Sequence, residues 1–330
     1  MRLAVFFLCL AAPVARAADW QPVATDLLAK HKTGFGGLSG VVVERDTGAL
    51  FVCLSDQGLF RSGDGGKTWE RHGEARKGRT ETPGCFALDP TGKTKRALLA
   101  TVYGGPVLVT ATAHDAPVRA MDKKSVHVDW CAADWSDPEL KFAVAFKHEA
   151  DGLLLLTRDS GKSFAEVGKG YGLGAWVFDA DTAVIARAKT KDNPKGGFVR
   201  TADGGKTFLP VNAEGVSVSL PTPQGDALYW LVEGALMKVT EKGKKWEKLS
   251  EIKGARYGPI FGKDAKHLFV LTSAGVVEST DAGATWGTPV AVPKDLKGVS
   301  PLTWLDYDPK HDTLYVMKMG SDLFKLARGK

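Results

Sequence analysis

Side chains that could carry acid–base or metal chemistry are scattered through this chain of 330 residues. Its histidines are His31, His72, His114, His127, His148, His267 and His311, and their positions do not have the close spacing that a zinc site needs. The chain also lacks the Gly-x-Ser-x-Gly elbow of serine hydrolases and a phosphate-binding loop. The sequence therefore predicts neither a metal site nor a cofactor.

Cations and aromatic side chains recur together in several short segments that contain glycine. The residues of interest are Phe35, Arg79, Lys124, His127, Tyr171, Arg256 and Tyr257. Aromatic faces and charge-assisted hydrogen bonds are the usual means of holding an anionic polymer, peptide or sugar. These residues are far apart in the sequence, so they form one rim around a ligand only if a repeating fold brings their segments together. The alternative is that the segments are solvated loops whose glycines serve tight turns.

A repeated octapeptide indicates such a fold. Ser62-Gly63-Asp64-Gly65-Gly66-Lys67-Thr68-Trp69 returns at 157–164, 201–208 and 279–286, and a degenerate copy at 240–246 lacks the Asp. The hydroxyl and the carboxylate can accept backbone N–H bonds within a turn, and a glycine allows the positive φ that a tight turn needs. We expect the acid to stabilise the turn and the final aromatic residue to pack on a neighbouring sheet. These pairs are Asp64 and Trp69, Asp159 and Phe164, Asp203 and Phe208, and Asp281 and Trp286.

The spacing of the copies predicts the architecture. Asp159 and Asp203 are 44 residues apart, and Asp203 and Asp281 are 78 apart with the degenerate copy between them. A period of about 40 to 50 residues with three or four short strands in each unit is typical of a β-propeller. The predicted fold is all-β, a seven-bladed β-propeller. Its first strands are expected to begin near Gly40, Gly84, Trp130, Gly174, Leu220, Gly258 and Pro301.

The last of the seven units has only three predicted strands, at 302–307, 313–317 and 323–326. Residues 19–23, Asp-Trp-Gln-Pro-Val, are similar to the strands that follow the octapeptides at 68–72 and 245–249. We expect this N-terminal strand to complete the last blade, because closing the ring removes an exposed sheet edge.

The octapeptide resembles the Asp-box, or BNR repeat, of the sialidase superfamily, the sortilin-type receptors and the photosystem II assembly-factor propellers. The resemblance covers nearly the whole chain after residue 17. It implies the propeller fold, with the boxes at the periphery of the blades and away from the ligand face. It bears on function by analogy only.

Sialidase chemistry has little support in the residues. Sialidases hold the substrate carboxylate with three arginines and carry an early Arg-Ile-Pro stretch, which is absent here. Arg61 and Arg200 stand just before octapeptides and Arg158 lies at the start of one, and we expect all three to brace blades. Tyr229 and Glu233 have no identifiable catalytic partner. We predict a non-enzymatic binding or assembly scaffold for an unknown protein, peptide or glycan, with an anionic ligand favoured by the cations. A glycoside-acting hydrolase with a divergent site is the alternative.

Residues 1–17 have the pattern of a secretory signal peptide, with Arg2, an apolar run from Leu3 to Ala12 and a small-residue cleavage site. We expect residues 18–330 to form a single propeller domain in the periplasm or outside the cell. The formal net charge is +6, of which Arg2 and Arg16 supply two, and this modest excess does not indicate nucleic acid binding. No later segment has the apolar length of a membrane span, and we expect a monomer.

Three cysteines follow the predicted signal peptide, namely Cys53, Cys85 and Cys131. Cys85 and Cys131 fall near the same point of neighbouring units, so they could form a disulfide. Alternatively, the thiols are buried as small hydrophobic side chains. Both interpretations fit the sequence.

Overall fold

The computed structural model describes residues 19–34, 36–72, 86–90, 96–101, 105–110, 119–120 and 127–328. Within them the regular structure is almost entirely antiparallel β-sheet, with one short α-helix, α1 (Thr25–Lys30), and 3-10 turns at Ser55–Gln57, His148–Ala150, Glu241–Gly243 and Lys294–Leu296. The all-β class is therefore confirmed. The predicted signal peptide and Cys85 lie outside the described residues.

The described strands form seven sheets, six with four strands and one with three. Sheet 1 contains β2 (Leu38–Glu44), β3 (Ala49–Leu54), β4 (Gly58–Ser62) and β5 (Glu70–Arg71). Sheet 2 contains β6 (Phe86–Leu88), β7 (Arg96–Thr101), β8 (Gly105–Thr110) and β9 (Arg119–Ala120). Sheet 3 contains β10 (Trp130–Ala133), β11 (Ala143–Lys147), β12 (Leu153–Thr157) and β13 (Ala165–Gly168). Sheet 4 contains β14 (Tyr171–Val177), β15 (Ala183–Arg187), β16 (Gly197–Thr201) and β17 (Leu209–Pro210).

Sheet 5 contains β18 (Thr222–Gln224), β19 (Ala227–Val232), β20 (Ala235–Thr240) and β21 (Lys245–Glu251). Sheet 6 has the three strands β22 (Ala255–Phe261), β23 (Leu268–Thr272) and β24 (Gly275–Ser279). Sheet 7 contains β25 (Thr303–Asp308), β26 (Thr313–Lys318) and β27 (Leu323–Ala327), and β1 (Gln21–Pro22) lies at its outer edge beside β27. Chain order and strand order therefore agree in every sheet except the last.

Neighbouring sheets pack face to face, which explains the composition of their middle strands. All residues of β3, β19 and β23 are buried, and each strand is a nearly continuous apolar run, as expected for strands covered on both faces. Aromatic pairs join one sheet to the next. Phe198 and Trp230 have ring centroids 4.8 Å apart between sheets 4 and 5, and Tyr229 and Phe261 are 5.0 Å apart between sheets 5 and 6. The core is thus a series of layers between sheets.

The first and last sheets are also neighbours. Strand β2 of sheet 1 contacts both β6 of sheet 2 and β25 of sheet 7. Val43 N–H donates to Asp306 Oδ2 across that junction at 2.7 Å. The N-terminal segment lies there too, because Val23 N–H donates to Leu323 O at 2.8 Å and Trp69 Nε1 of the sheet 1 octapeptide donates to Val23 O at 3.0 Å. Val23 therefore forms hydrogen bonds with both the last sheet and the first.

The octapeptide turns repeat one set of hydrogen bonds. Ser62 Oγ donates to Asp64 Oδ1 at 2.8 Å and accepts the N–H of Gly66 at 2.9 Å. Asp64 also accepts the backbone N–H of Thr68 at 2.9 Å and its hydroxyl at 2.6 Å. The same bonds occur in the copies built around Asp159, Asp203 and Asp281. One side-chain cage thus holds four turns in the same conformation.

The final glycine of the octapeptide fixes the turn against the preceding sheet. Gly205, at φ +84°, has so little space that a Cβ would lie 2.2 Å from Leu156 of sheet 3. Gly283, at φ +87°, lies in the same way against Leu236 of sheet 5, and Gly66 against Val23 of the segment paired with sheet 7. These glycines combine a left-handed backbone with a close approach between sheets.

The turn carboxylates predict a loss of stability in acid. Hydrogen bonds from Ser163 lower the pKa of Asp159 to about 2, and bonds from Thr285 do the same for Asp281. Because these pKa values lie below those of the unfolded chain, the stabilisation is present above about pH 4 and is lost as the pH falls through about 2. We expect the melting temperature to drop over that interval. Asp159→Asn should show a smaller drop than the wild type when melts are compared at pH 5, 3 and 2, and equal slopes would contradict the assignment.

Candidate functional site

The first strands of all seven sheets contribute to one cavity. It consists of two adjoining spaces of about 350 and 170 Å³, whose walls share Val42, Thr222 and Asp306 among other residues. The smaller space is lined from every sheet in turn, by Val41 and Val42, Phe86, Ala87 and Leu88, Cys131, Ala132 and Ala133, Ala175 and Trp176, Thr222 and Pro223, Tyr257, Gly258 and Ile260, and Asp306. We refer to both spaces together as the central cavity.

The wall of the smaller space is largely apolar. Val, Ala, Leu, Pro and Trp side chains predominate, as is typical of a ligand site that orients its ligand with a few polar groups. Cys131 belongs to this wall and is buried as a free thiol, and burial raises its pKa far above the ordinary value. Cys53 is likewise buried. The buried-thiol alternative therefore describes Cys53 and Cys131.

Asp306 is the charged residue in this wall, and it lines both spaces. Its Oδ2 accepts the N–H of Val43 and its Oδ1 accepts the N–H of Tyr307, both at 2.7 Å. Burial raises the pKa of Asp306 to about 6, although these two N–H bonds and the nearby Arg45 act in the opposite direction. The carboxyl group therefore titrates near neutrality inside a mainly apolar space.

The larger space adds charged residues near the ends of the first strands. Glu44, Asp46 and Asp89 line it together with Arg45 and Arg96. Arg45 donates to the carbonyl oxygens of Phe261 and Gly262 at 2.9 and 2.7 Å, and Arg96 donates to those of Pro138 and Asp137 at 2.5 and 3.3 Å. Both guanidinium groups thus bind backbone of another sheet. With Asp306, four carboxyl groups and two guanidinium groups surround the opening.

The predicted rim is only partly represented in this cavity. Tyr257 is half-buried and lines the smaller space, with its ring 6.5 Å from that of Trp304, and its neighbour Arg256 is exposed. His127 lies on a different segment, where its Nδ1 is 2.8 Å from Glu149 Oε2. Phe35, Arg79 and Lys124 lie outside the described residues.

Tyr171 does not have the predicted placement. Its side chain is buried rather than presented at a rim, and the Arg187 guanidinium lies 4.4 Å from the centre of its ring. The ring also meets Phe208 edge to face at 6.3 Å. The glycine that follows Tyr171 suggested a loop, but Tyr171 is the first residue of β14, and the strand pairing turns its side chain into the protein.

The arginines at the starts of the octapeptides are structural. Arg158 donates to Gly204 O at 2.6 Å and Arg200 to Lys242 O at 2.7 Å, so both reach the turn of the following sheet. Arg61 differs, since its described partner Glu70, at 3.6 Å, belongs to its own sheet. Tyr229 is buried and Glu233 pairs with Lys189 at 2.5 Å, so neither contributes to the central cavity.

Sequence reasoning missed Asp306 and Glu44, although a signal exists. Asp306 lies two residues before Asp308, and Glu44 lies two residues before Asp46. In both cases the second acid marks the turn that follows the first strand. The equivalent positions before Asp89, Asp134 and Asp179 hold Ala87, Ala132 and Val177. An acid where other units have a small or apolar residue therefore marks the wall of the cavity.

The described residues contain no cluster of three or more His, Cys, Asp or Glu side chains arranged to bind a metal ion. In the same part of the chain, none of the helices has the length and apolar character required to cross a membrane.

Comparison with known proteins identifies the fold. No family model and no curated protein matches the sequence. Among solved structures, YCF48 from Cyanidioschyzon merolae is similar over 94% of this chain and 98% of its own, at 13% identity and a TM-score of 0.53. YCF48 bound to D1 peptide matches 95% of this chain and 96% of its own, at 15% identity and a TM-score of 0.57.

PorZ is a surface component of the type-IX secretion system of Porphyromonas gingivalis. The match covers 94% of this chain and 38% of the PorZ chain, at 12% identity and a TM-score of 0.54. At such identities the likeness concerns the fold alone. Together with the antiparallel sheets described above, it makes the fold a β-propeller.

Proposed function

We propose that this protein is an exported, non-enzymatic binding scaffold that holds a peptide segment of a partner protein in its central cavity. The observation that carries the proposal is the cavity itself, which all seven first strands line with mainly apolar side chains and a few charged groups. Sites of this composition are typical of specific binding. Export follows from the signal-peptide pattern of residues 1–17.

The proposal includes a finer account of the fold. We take the seven sheets as seven blades of one closed ring, the octapeptides as Asp-boxes, and β1 as the strand that completes the last blade. This account is supported by the contacts of β2 with both β6 and β25, by the pairing of Pro22 with Phe324, and by the common bonds of the four turns. A closed ring gives the cavity a rigid wall, which lowers the entropy lost on binding.

A peptide is the favoured ligand class for two reasons. Two adjoining spaces of about 350 and 170 Å³, the smaller one with a mainly apolar wall, suit the side chains of a bound peptide. In addition, a protein of the same fold, YCF48, was solved with a bound peptide, which makes peptide binding a reasonable expectation for this architecture.

We expect a plug in the cavity to abolish binding. Heptapeptides selected from a displayed library on the mature protein should lose at least about tenfold in affinity, ~1.4 kcal/mol, on Pro223→Trp, because the indole would occupy the shared space. Pro223→Ala removes the same ring and leaves the cavity open, so it should bind within about twofold of wild type. Kd values from fluorescence polarisation measure both.

Binding at the predicted cationic rim would give a different result from binding in the cavity. If Arg79, Lys124 and Arg256 are replaced together by Glu and the selected peptides lose affinity while Pro223→Trp leaves binding intact, the ligand binds at the rim and the cavity proposal is wrong. Failure to select peptides above background would count against peptide binding altogether.

A glycoside-acting hydrolase remains the second candidate, and one observation favours it. Asp306, with a pKa raised to about 6 by burial, lines a space that also holds Glu44, Asp46 and Asp89, and glycosidases use two carboxyl groups across the scissile bond. Against it, both oxygens of Asp306 accept backbone N–H bonds, and Glu44 accepts the Thr47 hydroxyl at 2.5 Å. Turnover of a chromogenic glycoside that disappears in Asp306→Asn would support the hydrolase.

A further inference from the structure

Asp306 has an unusual position for a carboxylate. Among the described residues its hydrogen-bond donors are two backbone N–H groups, and none of the ion pairs formed by described residues includes it. Arg45 is the cation that lowers the pKa of Asp306, but its guanidinium group donates to backbone carbonyl oxygens and not to the carboxylate. A carboxylate has about four acceptor sites, so Asp306 keeps capacity for a donor that enters the cavity.

The surroundings of Asp306 determine which donor would be bound favourably. Of the described residues that line the two spaces, four carry carboxyl groups and two carry guanidinium groups. The guanidinium groups of Arg45 and Arg96 already donate to the backbone of other sheets and are held in place there. A cation that reaches Asp306 is attracted by its carboxylate, whereas an anion is repelled.

The wall next to Asp306 limits the shape of that cation. Val42, Ala132 and Leu220 belong to the apolar part of the smaller space, whose volume is about 170 Å³. Such a wall accommodates a slender hydrocarbon stem, and a lysine combines four methylene groups with a compact ammonium group at the end. An arginine fork would need both carboxylate oxygens in parallel, but each of them already accepts a backbone N–H.

We propose that the central cavity receives the side chain of a lysine presented by the bound peptide, with its stem against the apolar wall and its ammonium group on the carboxylate of Asp306. This inference rests on the proposed function, since it names the feature of the peptide that the cavity recognises. Asp306 is then the specificity-determining residue.

The test uses a synthetic heptapeptide from the displayed-library selection and its variants. We expect the selected sequences to share a lysine. Replacing that lysine by acetyl-lysine, norleucine or glutamate should weaken binding to the wild-type protein at least tenfold, and replacement by arginine should weaken it about threefold or more. Asp306→Asn should lower the affinity for the lysine peptide at least tenfold while leaving the weak norleucine peptide within about twofold.

A second variant guards against misfolding of Asp306→Asn, which weakens the acceptor of the Val43 N–H. Val42→Lys places an ammonium group on the wall beside Asp306 without removing the carboxylate, and it should displace the lysine peptide. Leu209→Lys adds the same charge on the exposed outer strand β17, away from the cavity, and should bind within about twofold of wild type. Melting curves identify variants that have lost the fold.

The outcomes separate this inference from the proposed function. If peptides are selected and Pro223→Trp blocks them, but they lack a shared lysine or ignore both Asp306→Asn and Val42→Lys, the lysine inference is overturned and the binding scaffold stands. If peptides bind but Pro223→Trp has no effect, or if the library yields no binder, the proposed function fails and the inference fails with it.

Discussion

A chain that begins at Thr25 should melt about 10 °C or more below a chain that begins at residue 18, and it should aggregate on heating. Removing residues 18–24 deletes β1 and the bonds of Val23 with Leu323 and Trp69. It also removes Ala24, which is fully buried and whose N–H donates to Asp322 at 2.8 Å. The loss of about four hydrogen bonds and a buried contact amounts to ~5 kcal/mol.

Aggregation is expected because the deletion exposes the outer edge of β27, a strand that β1 otherwise covers. Differential scanning calorimetry and light scattering measure the two effects. Supplying the missing segment as a separate peptide of residues 18–24 should recover part of the melting temperature. An unchanged melt after deletion would show that the N-terminal segment does not close the last sheet.

Substituting the last glycine of the first octapeptide should have the second large effect. Gly66 has φ +87°, and a Cβ there would lie 2.7 Å from Val23 Cβ and 3.1 Å from Val23 O. Because the obstacle includes backbone, Gly66→Ala should push the N-terminal segment away from sheet 1. We expect a loss of ~3 kcal/mol, the sum of the left-handed backbone penalty and overpacking.

Gly65 provides the matched control within the same turn. It has φ +72°, but a Cβ there would meet only Tyr315 Oη at 3.8 Å. Gly65→Ala should therefore cost only ~1 kcal/mol, the conformational part. Urea denaturation of both variants measures the difference, and equal losses would mean that the contact between Gly66 and Val23 does not hold the two sheets together.

The features of the fold that depend on local chemistry could be predicted from the sequence. The octapeptide specifies its own turn, because the hydroxyl and the carboxylate that form the cage lie within seven residues, as the bonds of Asp64 show. The first strands begin within a few residues of their expected positions, for example β10 at Trp130 and β25 at Thr303. The N-terminal strand was inferred from its likeness to other outer strands, and it lies beside β27.

Sheet 6 shows where local reasoning did not suffice. The other octapeptides with a described outer strand lead into the fourth strand of their sheet, but sheet 6 has three strands, and the segment after Trp286 forms only an isolated bridge between Val276 and Val290. Pro289 cannot donate a ladder hydrogen bond, and Gly287 is a weak strand residue, which accounts for the irregular edge. Trp286 still packs on the preceding sheet, where its Nε1 donates to Ser250 Oγ at 3.0 Å.

The candidate site was harder to predict because it depends on contacts between distant strands. Composition drew attention to cations beside glycines, whereas the central cavity is defined by side chains that seven separate strands direct to one place. Tyr171 illustrates the difference, since its neighbouring glycine suggested a loop but the pairing of β14 buries the ring. In the sequence, Asp306 resembles the other acids near turns. Its place in the cavity wall and its hydrogen bond from Val43 depend on the packing of distant strands.

The crystal structure of the protein with a selected lysine heptapeptide tests the central claim most directly. We predict that the peptide lies in the central cavity, in contact with Val42 and Thr222, with the lysine Nζ about 2.8 Å from a carboxylate oxygen of Asp306. A peptide bound beside Arg256, or on the outer strands with the cavity empty, would contradict the account.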